Sequence, residues 1–187
     1  SNGDLFRFFK AAPLLVGMVF AFGFADIAAI SAMPVYFVKM GYSQSFAAIS
    51  VTVLALPTAI AQPFIGVLLD RLPRERVALA AVSVAALSYF VLPLVRSEIA
   101  ILTVFAIMGA AAFSLYTCAL TMLGERHSGS MLVAGSAAFA LAYSVGSGAG
   151  SGLTGAIMDA GGPQAGPISV GLGLTAFTAA LFFARRR

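Results

Sequence analysis

Of the seven acidic residues in this 187-residue chain, six fall in loops or near the ends of apolar runs, and one, Asp26, does not. It stands in "FGFADIAAISAMP", about twelve residues into the first long apolar run, with no Lys or Arg beside it and none at a similar depth in any other run. At the depth of a bilayer centre a bare carboxylate costs about 3 kcal/mol or more on insertion scales. Asp26 must therefore be protonated, hydrated in a cavity, paired with a cationic ligand, or paired with a residue that this chain does not contain. The chemistry open to it is proton carriage or solute binding, since intramembrane ionisable groups are functional by default. The alternative is a plain hydrogen bond across a helix bundle. Phe22 and Met33, at i−4 and i+7, share a helical face with Asp26. Tyr116 and Tyr143 sit midway along the fourth and fifth runs. Together these residues could wall a substrate pocket, although apolar and aromatic stripes at helical spacing more often serve as core. Tyr36, Tyr42 and Tyr89, near run ends, read as interfacial anchors or packing.

The elements that would position these residues are set by composition. Hydrophobic residues make up 60% of the chain, charged residues only 10%, and the mean hydropathy is +0.99, against about a quarter charged in soluble domains. Six apolar stretches stand out, at about 14–38, 46–69, 77–95, 99–123, 131–158 and 168–184, each close to or above the roughly 18 residues that a helix needs to cross hydrocarbon. Period-two alternation, the mark of a membrane barrel, is missing, so backbone groups must be satisfied inside helices. The expected fold is an all-α membrane protein: a linker over 1–13, a six-helix transmembrane domain over 14–184 and a basic tail at 185–187. With the N-terminus inside, nine of the eleven Lys and Arg collect on one side (Arg7, Lys10, Arg71, Arg74, Arg76, Arg126 and Arg185 to Arg187), leaving Lys39 and Arg96 outside. That bias predicts cytoplasmic termini. It also accounts for the net charge of +4; no basic face or motif suggests a nucleic-acid partner.

The character of the runs repeats. Runs one and four are long and carry the polar residues, two and five carry helix-distorting Pro or Gly, and three and six are short, uniform and expected to face lipid. In run two, Pro57 and Pro63 each remove a backbone donor and invite a kink. In run five, Gly146, Gly148, Gly150 and Gly152, with Gly155 beyond, form overlapping small-xxx-small patterns suited to tight helix packing or to a sliding surface. A three-plus-three pattern implies two three-helix repeats, and because three is odd the second copy is inverted, a transporter trait.

Enzymatic readings find little support. His127, the sole histidine, lies in the loop "GERHSGS", so neither a zinc site nor a Ser/His pair at membrane depth can be assembled. There is no phosphate-cradling Gly-Lys-Ser loop, and no cofactor is called for. Cys118 is the single cysteine and has no intrachain partner. The opening "SNG" lacks a methionine, which suggests part of a longer chain.

The densest charge in the sequence is "GVLLDRLPRER", residues 66–76, after a stretch from Met40 to Leu69 with no charge at all. It resembles the loop signature of the major facilitator superfamily, Gly-x-x-x-Asp-Arg-x-Gly-Arg-Arg, which joins the second and third helices of each six-helix half. Gly66, Asp70, Arg71 and Arg74 match, Pro73 stands where Gly is usual, and Glu75 where a base is usual. "AMPVYFVKMGYS", "GERHSGSMLVAGSAAFA" and the linker-like "DLFRFFKAAPLL" follow the order of that family's C-terminal half. The resemblance implies one half of a twelve-helix carrier, in which the first and fourth helices line a central cavity, the second and fifth meet the other half, and the third and sixth face lipid. It further implies that Asp26 faces the cavity and that Gly66, Asp70, Arg71 and Arg74 act as a cytoplasmic latch.

The expected activity is secondary transport of a small organic solute by alternating access, coupled to protons, in a bacterial inner membrane. The expected partners are the solute, protons, the lipid bilayer and either an N-terminal six-helix half or a second copy. The competing readings are a self-pairing half-transporter and a six-helix module that only binds or assembles.

Overall fold

The computed structural model of the chain describes residues 2–185; Arg186 and Arg187 of the expected basic tail lie outside the described residues. A short helix, α1 (Asn2–Ala11), precedes six long ones: α2 (Pro13–Lys39), α3 (Gln44–Arg71), α4 (Arg74–Leu94), α5 (Glu98–Arg126), α6 (Ser130–Gly161) and α7 (Ala165–Arg185). All six are long and apolar enough to cross a membrane, and no strand occurs among the described residues. The protein is an all-α integral membrane protein.

Local sequence explains where the helices begin and end. Ser43 and Ser97 cap α3 and α5, each accepting the backbone N–H three residues on at 3.0 Å. Pro13 opens α2 at a position where its missing N–H costs nothing. Gly162, at φ +91°, lets the chain leave α6 in a left-handed conformation open to glycine. Pro57 and Pro63 do not interrupt α3, which is helical throughout its 28 residues.

The six spans form two inverted three-helix repeats, α2–α4 and α5–α7. Their packing reflects this: α2 lies along α6, the corresponding pair α5 and α3 lie along each other, α2 meets α5 at the centre, and α4 meets α7. Matching glycines make the two crossings possible. A Cβ on Gly23 of α2 would stand 2.7 Å from the Tyr143 carbonyl oxygen of α6, and one on Gly109 of α5 would stand 2.5 Å from the Leu54 carbonyl oxygen of α3.

Helix α2 carries a local widening. Residues Ala28–Ala32 form a π turn, and the Met33 N–H reaches back five residues to the Ala28 carbonyl. Pro34 supplies the cause: it has no N–H to return to the preceding turn, and its ring crowds the carbonyl four residues back. Ser31 gives its hydroxyl to the Ile27 carbonyl at 2.7 Å. Tyr89 of α4 donates its hydroxyl to the Ala25 carbonyl just before the widened turn.

That contact corrects the reading of Tyr89 as an interfacial anchor: the side chain is fully buried. It also qualifies the lipid-facing expectation for α4. One face of this helix, from Val77 and Ala78 through Ala81, Ala85 and Ala86 to Tyr89, is buried, while Val84, Leu87 and Val91 on the other are exposed. Small alanines let α4 approach α5 and α7 closely, and only its far face is left for lipid. Removing the buried hydroxyl, in Tyr89→Phe, is expected to destabilise the fold by about 0.6 to 1 kcal/mol. Thermal unfolding in detergent measures this.

Stretch 1–13, expected as a linker, contains α1, which packs on α6. Phe8 is fully buried, its ring 5.1 Å from that of His127 and 6.1 Å from that of Phe139.

Candidate functional site

Asp26 sits midway along α2, half-buried, and accepts a hydrogen bond at Oδ2 from the Tyr143 hydroxyl of α6 at 3.1 Å. No Lys or Arg pairs with it among the described residues. The packing of α2 against α6 fixes this geometry. Gly23, one turn before Asp26, lies against the Tyr143 backbone, which brings the tyrosine within reach of the carboxylate.

Around the carboxylate stands a cluster of rings. Phe22 stacks on Tyr116 of α5 with centroids 4.9 Å apart, lies 5.6 Å from Tyr143, and meets Phe113 edge-on at 5.9 Å. Phe113 and Tyr116 are in turn 6.0 Å apart. Offset and edge-to-face pairs at such spacings hold each ring in place.

Two cavities meet at Asp26. The larger, about 560 Å³, runs from Asp26, Phe22 and Tyr143 past Tyr116 and Phe139 to Leu120 and Ser136. It points toward the end of the bundle where α5 finishes and α6 begins. The smaller, about 260 Å³, runs from Asp26 and Phe22 past Ile30, Leu54 and Thr58 to Val51, toward the opposite end, where α2 finishes and α3 begins. Phe22, Asp26 and Phe113 line both. Helices α2 and α5 thus wall the cavities, with α6 flanking one and α3 the other.

The structure brings together four of the five residues proposed from sequence to form this site, Asp26, Phe22, Tyr116 and Tyr143, and leaves out Met33. Met33 is fully buried and lies beside Gly166 of α7. The reason is the π turn. One extra residue between positions 26 and 33 shifts the helical phase by about 100°, which carries Met33 off the Asp26 face. Phe113 belongs to the cluster and was not singled out in the sequence; at three residues before Tyr116 it shares a helical face with it, a signal that could have found it.

The glycines of α6 separate into two stripes. A Cβ at Gly146 or Gly150 would come within 2.3 Å of the Phe20 or Phe24 carbonyl oxygen of α2, so these two are packing residues. A Cβ at Gly148 or Gly152 would meet nothing within 4 Å. These two residues are exposed, on the side of α6 turned away from α2, so that close packing inside the bundle falls to Gly146 and Gly150 of the four.

At the end of the bundle where the larger cavity opens, two ion pairs tie α4 to α5. Arg74 donates Nε and Nη2 to Glu125 Oε1 at 3.1 and 2.6 Å, and Arg126 donates Nη2 to Glu75 Oε1 at 2.6 Å. Of the four latch residues proposed from sequence, Arg74 is engaged. Asp70 and Arg71 are exposed with no ion pair or hydrogen bond among the described residues, and a Cβ on Gly66 would meet nothing within 4 Å. The signal that sequence reading missed is the complementary pair of dipeptides, Arg74-Glu75 facing Glu125-Arg126. Exposed pairs couple weakly, by about 0.2 to 1 kcal/mol. Arg74→Glu is expected to destabilise by that order, and the swap Arg74→Glu with Glu125→Arg to recover it, as read by a double-mutant cycle of thermal unfolding. At the other end Lys39 meets Asp159 at 3.2 Å, joining α2 to α6.

A six-span helical bundle built of inverted three-helix repeats, with an intramembrane carboxylate where two cavities meet, defines the class: a polytopic membrane protein with a central polar site. The family follows from comparison with known proteins. The family model described as Major Facilitator Superfamily matches residues 15–187, and the chain belongs to that superfamily. It is 29% identical over 152 residues to the uncharacterized MFS-type transporter YfkF of Bacillus subtilis (strain 168); the match covers 79% of this chain and 38% of that protein.

Proposed function

We propose that the chain is the C-terminal six-helix half of a secondary active transporter that moves a small organic solute by alternating access, coupled to protons through Asp26. The observation that carries this reading is the position of Asp26 at the junction of two cavities directed to opposite ends of the bundle, with one hydrogen-bond donor and no cation beside it among the described residues. A carboxylate so placed can take a proton or a solute from one side and release it to the other. Membership of the superfamily and the transporter name of the Bacillus relative support the same class.

The remaining assignments rest on this reading. The charge bias supports cytoplasmic termini, and the larger cavity then faces the cytoplasm in a bacterial inner membrane. The exposed Gly148 and Gly152 stripe of α6 and the exposed Leu56, Ile60 and Phe64 of α3 support a contact with a second six-helix half. Asp70 and Arg71, unpaired among the described residues, would complete the latch against that half. The role of the protein is carriage rather than catalysis.

Proteoliposomes holding the carrier, energised with a pH gradient and offered a panel of small organic solutes, test the proposal. At least one solute is expected to collapse the gradient, read by a pH-sensitive dye in the lumen, and Asp26→Asn is expected to prevent it. Failure of every solute in the wild-type protein would reject proton-coupled transport.

A further inference from the structure

The walls of the larger cavity carry information about its ligand. The site has one carboxylate, whose Oδ2 accepts from Tyr143 and whose Oδ1 has no partner among the described residues. Its other prominent groups are aromatic: Phe22, Phe113, Tyr116 and Tyr143. Among the described residues no Lys, Arg or His lines it. From these observations, and resting on the transport reading above, we infer that the ligand is a monovalent organic cation, an ammonium bearing apolar or aromatic substituents, held between the Asp26 carboxylate and the cluster of aromatic side chains at Phe22, Phe113, Tyr116 and Tyr143.

Electrostatics decides among the ligand classes. A carboxylate withdrawn from bulk water is costly unless a positive charge accompanies it. An anionic solute would add a second negative charge with no cationic side chain among the described lining residues to meet it. A neutral solute does not offset the charge of Asp26 in its ionised form. A cation offsets that charge, and aromatic faces, which carry the negative part of the ring quadrupole, attract it further. The walls also discriminate among cations. A small, strongly hydrated metal ion needs a shell of oxygen ligands, and this cavity offers few: the Asp26 carboxylate, the Ser136 hydroxyl and two phenolic oxygens. An organic ammonium needs no such shell, and its carbon substituents gain from contact with Phe139, Leu120 and Ala140. One carboxylate matches one positive charge.

Phenyltrimethylammonium and its neutral isostere tert-butylbenzene share a shape and differ in charge, which makes them the probe pair. Binding to the purified protein in lipid nanodiscs is measured for each by equilibrium dialysis, with empty nanodiscs subtracted. The cation is expected to bind about tenfold or more tighter than the isostere. Asp26→Asn is expected to remove that preference, and Tyr116→Leu, which leaves the carboxylate intact, to reduce it several-fold while tert-butylbenzene binding changes little. An unchanged thermal midpoint confirms that each variant is folded, and Tyr116→Leu keeps the test open should Asp26→Asn fail to fold. Equal binding of the two probes by the wild-type protein, or a preference that survives Asp26→Asn, overturns the inference. Because this readout involves no flux, the two ideas fail separately. A protein that couples another solute to protons but does not prefer the cation loses only this inference, whereas one that prefers the cation but moves no solute loses only the transport reading.

Discussion

Gly150→Ala and Gly146→Ala are each expected to destabilise the bundle by about 2 kcal/mol or more, whereas Gly148→Ala, two residues from each, stays within about 0.5 kcal/mol of the parent. A methyl group at position 150 would stand 2.3 Å from the Phe24 carbonyl oxygen, and one at position 146 the same distance from that of Phe20. Both obstacles are backbone, so no side chain can rotate away and α2 and α6 must separate. Separation would undo the close crossing that lets Tyr143 reach Asp26. At position 148 the added methyl meets open space, and the gain in helix propensity from replacing glycine, about 0.5 to 1 kcal/mol, offsets small losses elsewhere. Thermal unfolding in detergent of the three variants measures the contrast. Similar midpoints for all three would show that α2 and α6 are not packed as described.

The second large effect falls on function. Asp26→Asn is expected to reduce proton-coupled flux to the level of protein-free vesicles while leaving the fold in place. Asparagine keeps the size of aspartate, and its amide oxygen can still accept the Tyr143 hydroxyl, so the cross-helix hydrogen bond survives. What is lost is the capacity to take up and release a proton. Solute exchange without a gradient is expected to fall as well for the organic cation inferred above, because asparagine offers it no charge. Tyr143→Phe does the opposite: it keeps the carboxylate and removes its one donor, and is expected to weaken flux without abolishing it. Proton-coupled flux in Asp26→Asn equal to that of the wild type would remove Asp26 from the coupling role.

The architecture was legible because a membrane leaves few choices. Six apolar runs, a one-sided charge bias and a three-plus-three change in run character led to a helical bundle of inverted repeats without any three-dimensional information. The site was legible in part. Asp26 is conspicuous because charge at that depth is costly, and Phe22 lies one regular helical turn away, so the structure places it beside the carboxylate. Met33 does not join it, because counting at 3.6 residues per turn assumes an unbroken α-helix and the π turn at Ala28–Ala32 intervenes. Pro34 is visible in the sequence, but proline permits several outcomes within a span. Pro57 and Pro63 in α3, where the helix runs on as α, illustrate this.

Other features depend on which helices become neighbours. Tyr89 looks like an interfacial tyrosine until α4 is seen to place it against the Ala25 carbonyl. The glycine pattern of α6 shows small residues every two positions, but only the position of α2 tells which stripe is a contact and which is open. The Arg74-Glu75 and Glu125-Arg126 pairings lie 51 residues apart in each case. Their complementarity was present in the letters, while the adjacency of α4 and α5 that makes use of it was not.

The central claim is that Asp26 lies between two cavities that open in turn to opposite sides of the membrane. Single cysteines at Ser136, which lines the larger cavity, and at Val51, which lines the smaller, test it most directly in a Cys118→Ala background, with a membrane-impermeant maleimide applied from either side. Ser136→Cys is expected to react only from the side that carries Arg74 and Glu125, and Val51→Cys only from the side that carries Lys39 and Asp159. A change of pH that speeds one reaction is expected to slow the other. Reaction of both cysteines from the same side, or rates that rise and fall together, would contradict the account.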